Sequence, residues 1–213
     1  MKKISIKRIA FVAVFAAISS LLYCYVKFPL PIFPPFLDVN FSMIPIIIAA
    51  FMLGPIDGVV IVVIRFVMKL ILVGTGTQYV GEIADVILGI VTTLACGFTY
   101  KLYKGKYKSL ISFVVAIVTW VVSSIFINVF LNIPIYVELF FKGNWEVLIN
   151  MCKDAFNLIT FNNCPELTVD NFILYYVILA VIPFNLMLSG VVVGITALVH
   201  KRLKVLYNQI KIN

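Results

Sequence analysis

Residues Leu110–Leu131 read LISFVVAIVTWVVSSIFINVFL, an apolar run without one charged side chain. At about 1.5 Å per helical residue, such a run crosses the hydrocarbon core of a bilayer, which is about 30 Å thick. The rest of the chain agrees, with hydrophobic residues at 63% of its 213 positions and charged residues at 12%. One soluble core does not need so much apolar surface; the solvent is lipid. Working outward from this run, further apolar segments appear at about Ile6–Val26, Phe41–Leu53, Gly58–Val73, about Tyr79–Tyr100 and about Phe172–Val199. The reading is an all-α membrane protein, a six-transmembrane-helix bundle that forms one integral membrane domain over residues 1–213. Phe41–Leu53 is too short to span alone, so the polypeptide before it must be buried in protein or line a cavity.

The chain opens on Lys2, Lys3, Lys7 and Arg8 followed by an apolar run, as a secretory signal does. Here the run is long enough to span, and Tyr23, Tyr25 and Lys27 occupy the place of a small-residue cleavage site. It reads as a retained first helix.

A net charge of +8 would suit nucleic acid only if the basic residues shared a face interleaved with aromatics. They sit instead in short clusters between apolar runs, which excludes a nucleic-acid partner and points to the lipid bilayer. Lys2, Lys3, Lys7, Arg8, Lys101, Lys104, Lys106, Lys108, Lys201, Arg202, Lys204 and Lys211 fall on one side; Lys27, Lys142 and Lys153 fall on the other. The positive-inside rule then puts both termini in the cytoplasm.

On the outer side, Lys27–Val39 reads KFPLPIFPPFLDV. Proline fixes φ and donates no backbone bond, so this proline-rich outer loop is stiff and extended, suited to lie as a lid on the membrane body. Gly74–Gln78 is a tight polar connection. Asn132–Asn171 is long and acidic, with a short surface helix expected near Trp145–Asn157. Cys24 and Cys96 read as packing residues; Cys152 and Cys164 share the long outer loop and either pair there or remain free thiols.

No catalytic constellation is visible. His200 stands alone, and there is no metal-ligand spacing, no Ser–His–acid set and no phosphate loop, so no cofactor or metal is expected. Charges within spans are costly and mark function by default. Arg65 and Lys69 lie one helical turn apart on the third segment, and Glu82 and Asp85 three apart on the fourth. Two readings stand: a charge cluster that joins the two helices, or a cluster in which Glu82 also anchors a polar ligand group. Asn128 and Asn185 lie near the outer ends of the last two segments; they serve either a neutral polar ligand or interhelical hydrogen bonds. Ala13 and Ala17 form a small-xxx-small pair, with Ala10 and Ala16 nearby, that lets another helix approach closely, from the bundle or from a partner.

Taken together, several stretches resemble the substrate-binding S components of energy-coupling factor (ECF) vitamin transporters, and among these the riboflavin-specific branch. They are the Ala13–Ala17 pair, FPLPIFPPFLDVNFSMIP (Phe28–Pro45), LGPIDG (Leu53–Gly58), GEIADVILG (Gly81–Gly89), the asparagine six residues before Pro134 (Asn128), and PFN (Pro183–Asn185). The resemblance runs nearly end to end. It implies a six-helix S component of the bacterial plasma membrane, without enzymatic activity, that binds riboflavin in an outward-facing pocket. It further implies that Asn128 and Asn185 bind the ligand, with Glu82 and with Phe36, Leu37 and Asp38 of the loop that closes the pocket. A transmembrane coupling subunit would dock on Ala13 and Ala17, together with two cytosolic ATPase subunits. The family often has a lysine at the position of Leu188. An S component for another vitamin or heterocycle is the first alternative, and a membrane enzyme with Glu82 and Asp85 as acid and base is the second.

Overall fold

In a computed structural model, residues 5–210 are described, with side chains from Ser5 to Leu203; Lys2, Lys3 and Lys211 of the charge count lie outside this range. The helices are α1 (Ile6–Tyr25), α2 (Met43–Met52), α3 (Pro55–Leu72), α4 (Val80–Leu102), α5 (Lys108–Ile127), α6 (Ile133–Phe141), α7 (Trp145–Ile159), α8 (Val169–Tyr176) and α9 (Ile182–Ile210). Four continuous helices among the described residues are long and apolar enough to cross a membrane: Ile6–Tyr25, Val80–Leu102, Lys108–Phe141 and Val169–Leu203. The other two expected spans are present as helices of a different character. α2 has only 10 residues, and α3 carries Asp57, Arg65 and Lys69.

The fifth segment does not stop at Leu131. It continues through Pro134 to Phe141, making a 34-residue helix, so much of the expected outer loop is helical. Pro134 and Pro183 explain the local form. Each lacks an N–H for the carbonyl four residues back and crowds it. The helix accommodates each proline with a π-turn just before it, Asn128–Asn132 and Val177–Val181. In both, the residue preceding the proline donates five residues back: Ile133 N–H to Asn128 O and Ile182 N–H to Val177 O.

The LGPIDG turn joins α2 to α3 for reasons that can be read residue by residue. Gly54 has φ 125°, a conformation costly for any side chain. Pro55 starts α3 with its ring pre-set for the first helical turn. Asp57 accepts from Arg8 Nε of α1 at 2.9 Å. A Cβ on Gly58 would lie 2.5 Å from Thr93 Cγ2 and 2.9 Å from Ala50 Cβ, so α2, α3 and α4 meet at near backbone contact.

Loop Lys27–Val39 is more ordered than its prolines alone suggest. Strands β1 (Lys27–Pro29) and β2 (Asp38–Asn40) pair antiparallel, with Phe28 opposite Val39. Between them run two turns, closed by Phe33 N–H to Leu30 O (3.0 Å) and Leu37 N–H to Pro34 O (2.9 Å). Pro31 and Pro35 occupy the second position of these turns, where their fixed φ is favourable. Phe33 sits edge-on to Phe184, with ring centroids 5.2 Å apart. The chain then enters α2 through Val39 and Ser42, both buried, while Asp38 and Asn40 beside them border a cavity and Lys27–Pro29 further back is exposed.

The buried apolar residues form two clusters. One fills the bundle around α2 and includes Ile46, Ile47, Ile61, Val62, Trp120 and Phe184. The other joins α6, α7 and α8 through Val137, Leu148, Cys152, Phe156, Phe172 and Tyr176. The expected surface helix is present as α7, and its apolar face closes this second core. All four cysteines are free, so Cys152 and Cys164 do not pair; burial pushes the Cys152 thiol up to about 12.

Candidate functional site

A cavity of about 590 Å³ lies where the proline-rich loop, the α3–α4 connection, the first π-turn and the residues flanking the second converge. This size falls in the range of about 300–1,000 Å³ usual for small-molecule sites. The loop contributes Phe36, Leu37, Asp38 and Asn40. From α3 and α4 come Lys69, Glu82, Ala84, Asp85 and Leu88, and from the α5 and α9 helices Trp120, Asn128, Asn132, Phe184, Asn185 and Leu188. Tyr23, Tyr136 and Tyr176 add aromatic surface.

One wall is ionic. Lys69 Nζ stands 2.8 Å from Glu82 Oε1 and also donates to the Gly74 carbonyl. The hydroxyls of Thr75 and Thr77, in the α3–α4 connection, donate to Glu82 Oε2. One turn along, Arg65 is wholly buried; it donates to Asp85 and, at 2.6 Å, to Ser42 Oγ. Its guanidinium carbon lies 4.7 Å from the centre of the Tyr23 ring. Each cation is thus matched by a carboxylate, which is how charges persist at such depth. The cluster joins α3 to α4, while Lys69, Glu82 and Asp85 also border the cavity.

The facing wall is built from amides and rings. Asn128 opens the first π-turn and Asn185 follows Pro183 by two residues, so the proline-induced distortions set where both face. Each is less than a tenth exposed, at 7% and 6%. Trp120 Nε1 donates to Asn185 Oδ1 at 3.0 Å, and Tyr176 Oη donates to Asn128 Oδ1 at 3.2 Å. Phe36 of the loop lies 6.1 Å from Tyr176, centre to centre. Such a cavity can enclose a flat heterocycle between apolar and aromatic surfaces while amide and ionic groups meet its polar edges.

Residues 7–200 match the family described as ECF transporter, substrate-specific component. The chain belongs to that family. It is 32% identical over 108 residues to the riboflavin transporter RibU of Staphylococcus aureus, a match covering 50% of this chain and 54% of the relative. It is 31% identical over 97 residues to the riboflavin transporter FmnP of Bacillus subtilis, covering 45% and 50%. The chain thus spans about half the length of the curated relatives it matches. A solved structure described as "Structure and mechanism of the S component of a bacterial ECF transporter" superposes with a TM-score of 0.66 at 23% identity, covering 96% of this chain and 98% of the other. At that identity the likeness shows the fold.

Membership in a family of membrane transporter components sets aside the enzyme alternative. All six residues singled out for the ligand site of this ECF component, Asn128, Asn185, Glu82, Phe36, Leu37 and Asp38, line the one cavity. Ala13 and Ala17 lie apart from it, exposed on the outward face of α1, whereas Ala16 is buried. The sequence reading missed Trp120, Tyr176 and Asn132. For Trp120 a signal existed, because an indole N–H in mid-span must find an acceptor.

Proposed function

We propose that this chain is the high-affinity riboflavin-binding S component of an ECF-type ABC vitamin uptake transporter in the bacterial plasma membrane. The observation that carries the proposal is the cavity, with one aromatic and amide wall, one neutralised ionic wall and a loop folded over its mouth. Similarity to two riboflavin transporters supports the choice of vitamin. In this reading the flavin ring lies against apolar and aromatic side chains. Asn128, Asn185 and Glu82, with Phe36, Leu37 and Asp38 of the loop, meet the ring edge and the ribityl hydroxyls.

The same reading has one integral membrane binding unit with six crossings and both termini cytoplasmic. α2 and α3 complete the bundle despite the short length of one and the charges of the other. The absence of a nucleotide-binding motif from the sequence supports an energy source in partner subunits: a transmembrane coupling subunit seated on Ala13 and Ala17, and two cytosolic ATPases.

The test is a fluorescence titration of the purified full chain in detergent with riboflavin. Saturable quenching is expected; a folded, monodisperse chain that leaves flavin emission unchanged would overturn the reading. Liposomes holding this chain alone should bind riboflavin yet not accumulate it under a proton or sodium gradient. A second reading, an S component for another heterocyclic vitamin, is favoured by Leu188, which gives the cavity hydrocarbon where the family often has a lysine. Competition by other vitamins in the same titration separates the two.

A further inference from the structure

Asn128 and Asn185 sit on different helices and are held by the same device. Nδ2 of each donates to the carbonyl four residues back, Ser124 O and Val181 O, both at 2.8 Å. Oδ1 of each accepts from an aromatic residue of the other helix: α5 supplies Trp120 to Asn185, and the end of α8 supplies Tyr176 to Asn128. All four side chains are more than nine-tenths buried. The bracing is reciprocal.

The partners also have fixed polarity. An indole N–H only donates and a backbone carbonyl only accepts, so one orientation of the Asn185 amide satisfies both. Turning it over would set donor against donor and acceptor against acceptor inside the protein. Asn128 is fixed in the same sense, because its Nδ2 faces the Ser124 carbonyl. Its Oδ1 also accepts from Asn132 Nδ2 at 3.3 Å, so both lone pairs are taken. Among the bonds described, Asn128 has one N–H left for a ligand, and Asn185 has one N–H and one lone pair.

We propose that Trp120 and Tyr176 are positioning residues that set the polarity of the site. By holding the two amide oxygens they leave an N–H of each asparagine for the ligand, and a lone pair at Asn185 only. The site therefore selects a ligand that brings an acceptor atom, a carbonyl oxygen or ring nitrogen, to Asn128 and an acceptor, with or without a neighbouring donor, to Asn185. The inference rests on the riboflavin reading and extends it.

The test is a pair of double-mutant cycles on the full chain, read as riboflavin affinity, with gel filtration and ligand-free melting temperature as folding controls. Tyr176→Phe keeps its ring and removes only the donor, whereas Trp120→Phe removes the donor and reduces the indole to one ring; each should weaken binding at least about ten-fold. Tyr176→Phe should add nothing to Asn128→Leu, and Trp120→Phe should cost less beside Asn185→Leu than alone, whereas crossed combinations should multiply. Multiplicative loss within a pair, or full affinity in both phenylalanine variants, overturns the proposal. The acceptor requirement is read on the unaltered chain with 2-thio- and 4-thioriboflavin, whose sulfur accepts poorly. At least one should bind about ten-fold more weakly, and its penalty should vanish when the asparagine it faces is leucine. No penalty for either overturns the assignment without needing any variant to fold. Failure of the unaltered chain to bind riboflavin is a separate result, which removes the parent reading and this one with it.

Discussion

Lys69 and Glu82 face each other across the α3–α4 junction, Nζ to Oε1 at 2.8 Å, with side chains only 10% and 4% exposed. Breaking a buried pair from one side leaves a charge with neither water nor partner, at a cost of about 3–5 kcal/mol. Glu82→Gln and Lys69→Met should therefore each lower the melting temperature of the ligand-free chain markedly. The double substitution should be less damaging than either single one. Additive losses in this cycle, measured by thermal unfolding in detergent, would show the pair to be uncoupled.

The exposed alanines of α1 give a second expectation. Ala17→Trp should leave riboflavin binding by the isolated chain intact, because Ala17 lies outside the cavity. It should abolish uptake and co-purification with the coupling and ATPase subunits, since a bulky ring forfeits many close contacts of about 0.1–0.2 kcal/mol each. Loss of binding with retained assembly would assign α1 to internal packing.

Gly58 offers a steric test. A methyl group there would meet Thr93 Cγ2 at 2.5 Å and Ala50 at 2.9 Å, whereas one on Gly76 would meet nothing within 4 Å. Gly58→Ala should destabilise the chain by about 1–3 kcal/mol and Gly58→Val by more. Gly76→Ala should be nearly silent. Thermal unfolding of the three variants side by side checks the contrast.

Cys152 supplies a pH expectation. Its thiol is pushed from an ordinary value of 9.0 to about 12 by burial. Below pH 9 it is protonated in both folded and unfolded chains and adds no pH dependence. Above that, the unfolded chain releases the proton first, so stability falls as pH rises from about 9 towards 12. Cys152→Ala should flatten this slope. Maleimide at neutral pH should modify the half-buried Cys164 in the folded chain but reach Cys152 only after unfolding.

Much of this architecture was legible in the residues. Apolar run lengths located the helices, the brevity of Phe41–Leu53 announced a buried approach, and charges placed within spans marked the α3–α4 cluster. Asn128 and Asn185 stood out as amides in lipid-length runs. The π-turns were not legible, because the shift of about 100° that an extra residue brings leaves no trace in runs that are apolar on every side; only the Ile-Pro pairs at Ile133–Pro134 and Ile182–Pro183 hinted at them. The apolar run suggested an end to the fifth helix at about Leu131, whereas the helix bulges before Pro134 and continues to Phe141. The ribbon in the proline-rich loop was hidden for the opposite reason. Three-residue strands carry no pattern, and their pairing depends on where two proline turns return the chain. Trp120 and Tyr176 escaped notice because aromatic residues in a membrane span read first as apolar bulk.

The division of the buried side chains into two clusters has a thermodynamic consequence. The smaller one, around Phe156 and Phe172, is tied to the bundle through two helices that are each interrupted at the boundary. The cavity occupies the same boundary, so a ligand in it touches both clusters at once and acts as mortar between them. Empty, the chain should lose its parts in succession on heating, the α6–α8 portion first. Filled, it should come apart in one cooperative step. The strength of binding and the unity of the folded chain are then the same free energy, read once by titration and once by calorimetry.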